Sequence, residues 1–272
     1  MTFELLVSCV QKDAHELAGK MNIASDAVIV SQLEEKASEE HFELGKYKIH
    51  SFKSRTKGVG INRNTCIEQS KADIILFADE DIVYDEGYAQ KVLKEFEDHP
   101  EADMILFNVR VCDERRTYWN EGYKKVTLFN SGRYPAYSIA VRSGKLKAAG
   151  VKFSLYFGGG AVYSNGEDSL FLKDSLKAGL KLMASPVVLG EEIPRPSTWF
   201  NGYNDKFFYD RGVLYHYLYG KMARIFGIRW LLKMKSQFSN DYPYKAAQKM
   251  LFLGIKEGMS VKHKFDKTGN MI

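Results

Sequence analysis

Cysteine is scarce in this chain: three residues among 272, Cys9, Cys66 and Cys112, odd in number and far apart. That excludes a disulfide framework or a cysteine-based zinc site and predicts reduced thiols in apolar surroundings. Long apolar runs are lacking too, since no stretch approaches the roughly 20 residues that span a bilayer. The opening "MTFELLVSCVQKD" carries no basic leader, so the expectation is a chain that stays in the cytoplasm. A strong charge imbalance is also missing. Charged residues make up 27% and leave a net charge of +5, too mild for a dedicated nucleic-acid binder. What is present is core material: 45% hydrophobic residues, enough for one large or two small domains.

The first half alternates short strand-like runs with helical ones, which predicts βαβ units and a mainly parallel sheet. "FELLVSCV" and "DAVIVSQ" read as the first two strands. Between them Asp13 and Glu16 form a capping-box pattern ahead of a short helix carrying Leu17 and Met21. "LEEKASEEHFELGK" reads as a charged loop leading to a strand in "YKIHSF". "GVGINRNTCIEQSK" reads as a glycine turn entering a helix, and "ADIILFA" as a fully buried strand. "DEGYAQKVLKEFEDHP" predicts an amphipathic helix capped by Asp85 and stopped by Pro100. Further strands are expected in "ADMILFNVRV", "AYSIAVR" and "LKLMASPVVL", with a glycine-rich loop "YFGGGAVYSNG" and a helix from Glu167 to Ala178. After Pro194 and Pro196 the composition turns aromatic, basic and helical, so two regions are expected, 1–196 and a helical extension over 197–272.

Three consecutive acids, Asp79, Glu80 and Asp81, end the most apolar strand. Parallel strands deliver residues to a crevice at their carboxyl ends, where ligands bind. If the chain stays extended there, Asp79 and Asp81 share a face, and two carboxylates so close call for a proton or a cation between them. Hard oxygen ligands in small number suit Mg²⁺ or Mn²⁺, completed by water and phosphate. Arg63 lies three and four residues before Cys66 and Ile67, on the apolar face of its helix. An inward arginine needs a partner, either a phosphate-bearing ligand or a nearby carboxylate. Asp168 precedes Phe171 and Leu172 by the same spacing, so it too faces inward, either as a helix cap or as a reacting group. Glycines 158–160 lie just upstream, where backbone can come close to a ligand.

In their order, "SCVQKD", "GVGINRNTCIEQSKADIILFADED", "AVRSGKLKAAGVKF" and "GEDSLFLKDSLKAGLKL" make the chain resemble family 2 glycosyltransferases over about residues 3–190. The resemblance implies a GT-A fold, α/β and Rossmann-like, with helices flanking a mainly parallel central sheet. It implies transfer of a single sugar, with inversion, from a nucleotide-diphospho-sugar to a sugar or lipid-linked acceptor, in cell-surface polysaccharide or glycolipid synthesis. Asp79 and Asp81 match the metal-holding D-x-D motif, with Mn²⁺ or Mg²⁺ as the cofactor. Glu167 and Asp168 match the family's later acid pair, whose aspartate is the catalytic base. Ser8, Arg63, Asp79 and Glu80 fall at the nucleotide part of the donor site, and Gln32 stands where many members carry a base-reading aspartate. The Q-x-x-R-W signature of processive synthases is absent. A sugar nucleotidyltransferase and a non-catalytic sugar-nucleotide binder of the same fold remain open, although the glycine-rich basic loop of the former is missing after the first strand.

Residues 211–240 contain no acid. Lys221, Arg224, Arg229, Lys233 and Lys235 alternate there with Leu218, Tyr219, Ile225, Phe226, Trp230, Leu231 and Leu232. This composition fits either a peripheral attachment to an anionic membrane or a helical layer with solvated edges. His216, between two tyrosines, is a late candidate for a third metal ligand, against a packing role.

Overall fold

The computed structural model describes residues 1–113, 115–194 and 202–260. Strand β1 (Phe3–Val10) leads to helix α1 (Ala14–Lys20), whose first turn is capped by Asp13 accepting from the Glu16 N–H at 3.0 Å. Strand β2 (Asp26–Gln32) is followed by the hairpin β3 (Ser38–Leu44) and β4 (Tyr47–Lys53). Helix α2 (Val59–Gln69), strand β5 (Ile74–Asp79), the short β6 (Ile82–Tyr84), helix α3 (Tyr88–Asp98) and strand β7 (Met104–Arg110) come next. Then follow β8 (Lys124–Lys125), β9 (Ile139–Arg142), α4 (Ser143–Ala149), α5 (Glu167–Lys177) and β10 (Leu182–Glu192). Helices α6 (Asp205–Tyr219), α7 (Ala223–Phe238) and α8 (Tyr244–Ser260) complete the described residues.

All ten strands of the described residues join one sheet, ordered β3-β4-β2-β1-β5-β9-β7-β10-β6, with β8 also paired to β10. The run β4-β2-β1-β5 is parallel, while β9 enters antiparallel between β5 and β7. Side-chain alternation sends Leu5, Val7, Leu76 and Ala78 to one face against α1 and α3, and Leu6, Ile75 and Phe77 to the other against α2, α4 and α5. Because both faces are covered, β1 and β5 read as unbroken apolar runs. The chain leaves β1 for β2 on one side and returns to β5 on the other, so a crevice opens at their carboxyl ends.

A third core, centred on Phe208, Leu214, Leu231, Phe238 and Leu251, joins α6, α7 and α8 to Phe157, Tyr163 and Leu170. Pro196 and the expected boundary at 196/197 lie outside the described residues. No helix among the described residues is long and apolar enough to cross a membrane.

Four expectations are corrected. The charged stretch after β2 holds a strand, β3, whose exposed edge position removes the hydrophobic alternation that would have marked it. Helix α3 has Gly87 in the left-handed region as its N-cap and no side-chain cap, because Asp85 turns away to a two-point ion pair with Arg110 at 2.5 and 3.0 Å. Glu80 and Asp81 form a turn between β5 and β6, so the chain does not stay extended through the three acids. Cys9 and Cys66 are buried, but Cys112 is exposed; burial pushes the Cys9 thiol up to about 12.

The α6–α8 contact depends on backbone touching backbone. A Cβ on Gly254 would stand 2.0 Å from the Tyr209 carbonyl oxygen, whereas one on Gly144 in α4 would meet nothing within 4 Å. Gly254→Ala is therefore expected to lose about 1–3 kcal/mol in chemical denaturation. Gly144→Ala should be neutral or gain up to about 1 kcal/mol from helix propensity. Equal effects at the two sites would contradict this packing.

Candidate active site

Three elements that are far apart in the chain meet at the carboxyl end of β5. The strand's buried run, Ile74 to Ala78, carries Asp79 to its last position, directly across from Ser8 in β1. Helix α2 starts at Gly58, whose N–H donates to Gln32 Oε1 at 2.5 Å. One turn later the helix directs Arg63 inward. Helix α5 begins with Glu167 and Asp168, behind a loop held to α2 by the Val59 N–H donating to the Gly159 carbonyl at 3.0 Å. Glycine is required at 158: φ is +109°, and a Cβ would stand 2.7 Å from Glu167 Cδ.

Arg63, 4% exposed, contacts three carboxylates at once. Its Nη2 donates to Asp79 Oδ1 at 2.8 Å, and its Nη1 to Asp168 Oδ1 at 3.0 Å and Glu167 Oε1 at 3.1 Å. The guanidinium lies 5.2 Å from the Phe153 ring centre, and Phe153 stacks on Phe171 at 4.0 Å. Burial works against the arginine's charge, but Asp79, then Asp168 and Glu167, outweigh it and hold the proton above its ordinary value. One cation cannot offset three anions. Burial, and next the Glu167 charge, raise the Asp168 carboxyl well above its usual range, opposed by Arg63 and by a backbone hydrogen bond from Ala136.

Of the residues singled out in the sequence, Arg63, Asp79 and Asp168 are brought together, with Ser8 beside Asp79; the Ser8 Oγ is buried without a hydrogen-bond partner. Gln32 is buried at the end of β2 and holds the turn that starts α2. Glu80 accepts the Val10 N–H at 2.8 Å, tying the end of β1 to the turn after β5. Asp81 is partly buried in that turn, and its carbonyl accepts from the Ile193 N–H at 2.8 Å. His216 lies away from the acids, against Gly258, Tyr217 and the field of Lys173.

Two residues of this region were not foreseen. Burial, and then Tyr118, raise the Tyr137 phenol, which also feels Glu192, Asp79 and Asp168. Glu192, buried at the end of β10 and ion-paired with Arg115 at 2.6 Å, is the second. Neither carries a local signal: Tyr137 is a single polar residue in the short 3-10 turn Ala136–Ser138 before β9, and Glu192 one at the end of an ordinary strand.

The α/β sheet, with an acid-rich crevice at its carboxyl ends, is GT-A-like in fold. Residues 30–156, a little under half of the chain, match the family model described as Glycosyl transferase family 2, the family that its motifs resemble. Among solved structures, S. aureus TarS 1–349 in complex with UDP-GlcNAc is similar with a TM-score of 0.57 and 16% identity, over 80% of this chain and 66% of that one. Mannosyltransferase PcManGT from Pyrobaculum calidifontis, in complex with GDP-Man and Mn²⁺, gives a TM-score of 0.54 and 11% identity over 96% of this chain and 87% of that one. The chain spans 39% of a longer S. aureus TarS structure, at 15% identity and a TM-score of 0.53. At such identities the likeness is one of fold. No curated protein matches the sequence.

The cluster makes opposite predictions for its two signs of charge. The folded protein holds the Asp168 proton more tightly than the unfolded chain, whose aspartate titrates near 3.8. Its contribution to stability is therefore fully present below that value and is lost as pH rises through the raised folded value. Asp168→Asn keeps an acceptor for Arg63 and removes the charge, so it should be more stable than wild type at pH 7 and nearly equal at pH 4. Arg63→Met leaves three carboxylates uncompensated and should lose about 3–5 kcal/mol at pH 7. Urea titrations at the two pH values measure both; an Asp168→Asn protein less stable than wild type at pH 7 would refute the charge assignment.

Proposed function

We propose that this chain is an inverting, metal-dependent glycosyltransferase that moves one sugar from a nucleotide-diphospho-sugar to an acceptor hydroxyl. The observation that carries the reading is the single guanidinium of Arg63 bonded to both Asp79 and Asp168 at the sheet's ligand-binding end. It brings the acid of the donor side within one side chain of the acid of the acceptor side. The S. aureus TarS complex holds UDP-GlcNAc and the Pyrobaculum enzyme GDP-Man, which supports a nucleotide-sugar donor here.

Asp168 is the proposed base: its carboxylate takes the proton of the acceptor hydroxyl as the oxygen attacks the anomeric carbon and the nucleoside diphosphate departs. A carboxyl with raised proton affinity suits that step, and Arg63 holds it in place while partly opposing the raise. Asp79 and Asp81 offer the hard oxygens that Mn²⁺ or Mg²⁺ prefers. Asp79 spends Oδ1 on Arg63 and is 30% exposed, so the donor set fits an ion that shares its shell with water and phosphate. When bound, such an ion would offset the charge developing on the leaving diphosphate. Ser8, Gln32 and Glu80 line the proposed nucleotide end, and the Mn²⁺ of the Pyrobaculum complex is in keeping with the metal. A nucleotidyltransferase or a silent binder of the same fold would separate from this reading in a donor panel, by product or by lack of turnover.

The acceptor is proposed to be a sugar or a lipid-linked sugar in surface polysaccharide or glycolipid synthesis, met at the cytoplasmic face of a membrane. Regions 1–196 and 197–272 would then divide the work, transfer in the first and docking in the second. Helix α7 turns Trp230, Leu231 and Phe226 into the helical core but leaves Ile225 65%, Ile228 36% and Leu232 61% exposed. This stripe, one turn apart along the helix, is bordered by exposed Arg224, Arg229, Lys233 and Lys235. The apolar residues expected on one face are thus split between core and surface, and the exposed part is basic and apolar together, as an anionic lipid surface requires.

Two experiments test the proposal. Transfer over a panel of donors should require Mn²⁺ or Mg²⁺ and vanish in Asp81→Ala, while Asp168→Asn should keep donor affinity and lose roughly a hundredfold or more in kcat. Full activity with excess chelator would remove the metal from the mechanism. For the surface, each basic residue near anionic lipid contributes about 1 kcal/mol, so changing Arg224, Arg229, Lys233 and Lys235 to Gln should abolish low-salt co-sedimentation with anionic vesicles. Wild type that ignores such vesicles would make α7 a cover for the core alone.

A further inference from the structure

The β3–β4 hairpin, at the sheet's edge and on other elements than the Arg63 cluster, gathers three metal-binding side chains. Glu39 and His41 are two residues apart on β3 and so share a face, and His41 is in register with His50 of β4. Glu39 Oε1 lies 2.7 Å from His50 Nε2 and 3.4 Å from His41 Nε2, and one donor atom from each residue falls within 4.8 Å of the other two. The imidazoles are stacked, 3.8 Å between centres at 20°. The neutral imidazole is the form that ligates a metal. Donors bound to one tetrahedral ion at about 2.0–2.2 Å are roughly 3.3 Å apart, the separation that the Glu39–His41 and Glu39–His50 pairs bracket.

From this geometry we infer that Glu39, His41 and His50 form a second divalent-metal site, for Zn²⁺ or a similar borderline ion. Two imidazole nitrogens with one carboxylate select such ions over Mg²⁺ and Ca²⁺, which prefer all-oxygen sets. Exposure of 68% at His41 and 56% at Glu39 leaves an open entry path and room for a water as fourth ligand. Binding moves each ring proton to Nδ1, or releases it from a protonated ring, and replaces the His50 Nε2–H bond to Glu39 by two bonds to the ion. Affinity therefore falls as pH drops and the rings protonate. The structural effect is a clip between β3 and β4. The outer side of β3 pairs with no other strand among the described residues, and an ion across the hairpin would hold this edge in place.

The test is titration of the chelator-stripped full chain with Zn²⁺ alone against a chromophoric competitor, together with hydrogen exchange of residues 38–53. Four proteins are compared: wild type, Glu39→Gln, His41→Gln with His50→Gln, and Asp79→Asn. The hairpin equivalent should bind wild type and Asp79→Asn with the same affinity and the two hairpin variants at least tenfold more weakly, any separate equivalent at the acid crevice being weakened in Asp79→Asn alone, and Zn²⁺ should slow exchange in the hairpin of wild type and Asp79→Asn only. Equal affinity in wild type and both hairpin variants, or loss of the site in Asp79→Asn instead, overturns the inference. Because transfer activity is not the readout, either result leaves the proposed enzymatic function untouched.

Discussion

The buried guanidinium of Arg63 is the point on which the site depends. A charge held at 4% exposure persists only where opposite charges meet it with good geometry, and here three carboxylates do so within 3.1 Å. Those bonds join the second turn of α2 and the first turn of α5 to the last residue of β5, so the relative positions of three elements are set by one side chain. The balance is deliberately uneven in its effect: three anions against one cation leave the crevice inclined to take up a proton or a further cation. The raised proton affinity of Asp168 expresses that inclination in the protein itself.

The C-terminal helices are tied to this centre. Asp210 of α6, 2% exposed, accepts the Ser164 N–H at 2.9 Å and pairs with Lys206 at 2.6 Å, while Lys206 also donates to the Val162 carbonyl at 2.8 Å. Both contacts grip the loop that leads into α5, where Glu167 and Asp168 begin the helix. Leu214 of α6 closes over Gly166 at the same place. Changes in the helical layer can therefore reach the acids without any contact to them. Such coupling also explains why the third core, though separate from the two that cover the sheet, includes Phe157, Tyr163 and Leu170 of the loop and of α5.

The similar solved structures share 11–16% of their residues with this chain, yet the fold is common to them. What such a fold requires is mostly pattern: buried parallel strands, helices on both faces, and polar residues at strand ends. Pattern survives replacement of most side chains. Fold alone does not fix which ligand such a crevice takes; that depends on the individual side chains at the strand ends.

Taken alone, the sequence determined the strands and helices whose signals are local. β1 and β2 begin and end where the apolar runs do, Asp13 caps α1 as its spacing predicts, and the inward direction of Arg63 and Asp168 follows from their three- and four-residue distance to core side chains. The strand β3 was illegible because an exposed edge needs no hydrophobic period, and the Asp85 cap failed because Arg110, distant in sequence, offered a stronger partner. The same limit applies to the site. Spacing says that Arg63 must have a partner, but which of a ligand or several acids it meets depends on how β5, α2 and α5 converge. That convergence is fixed by packing on the two faces of the sheet, a non-local balance of burial and charge that no short stretch of sequence contains.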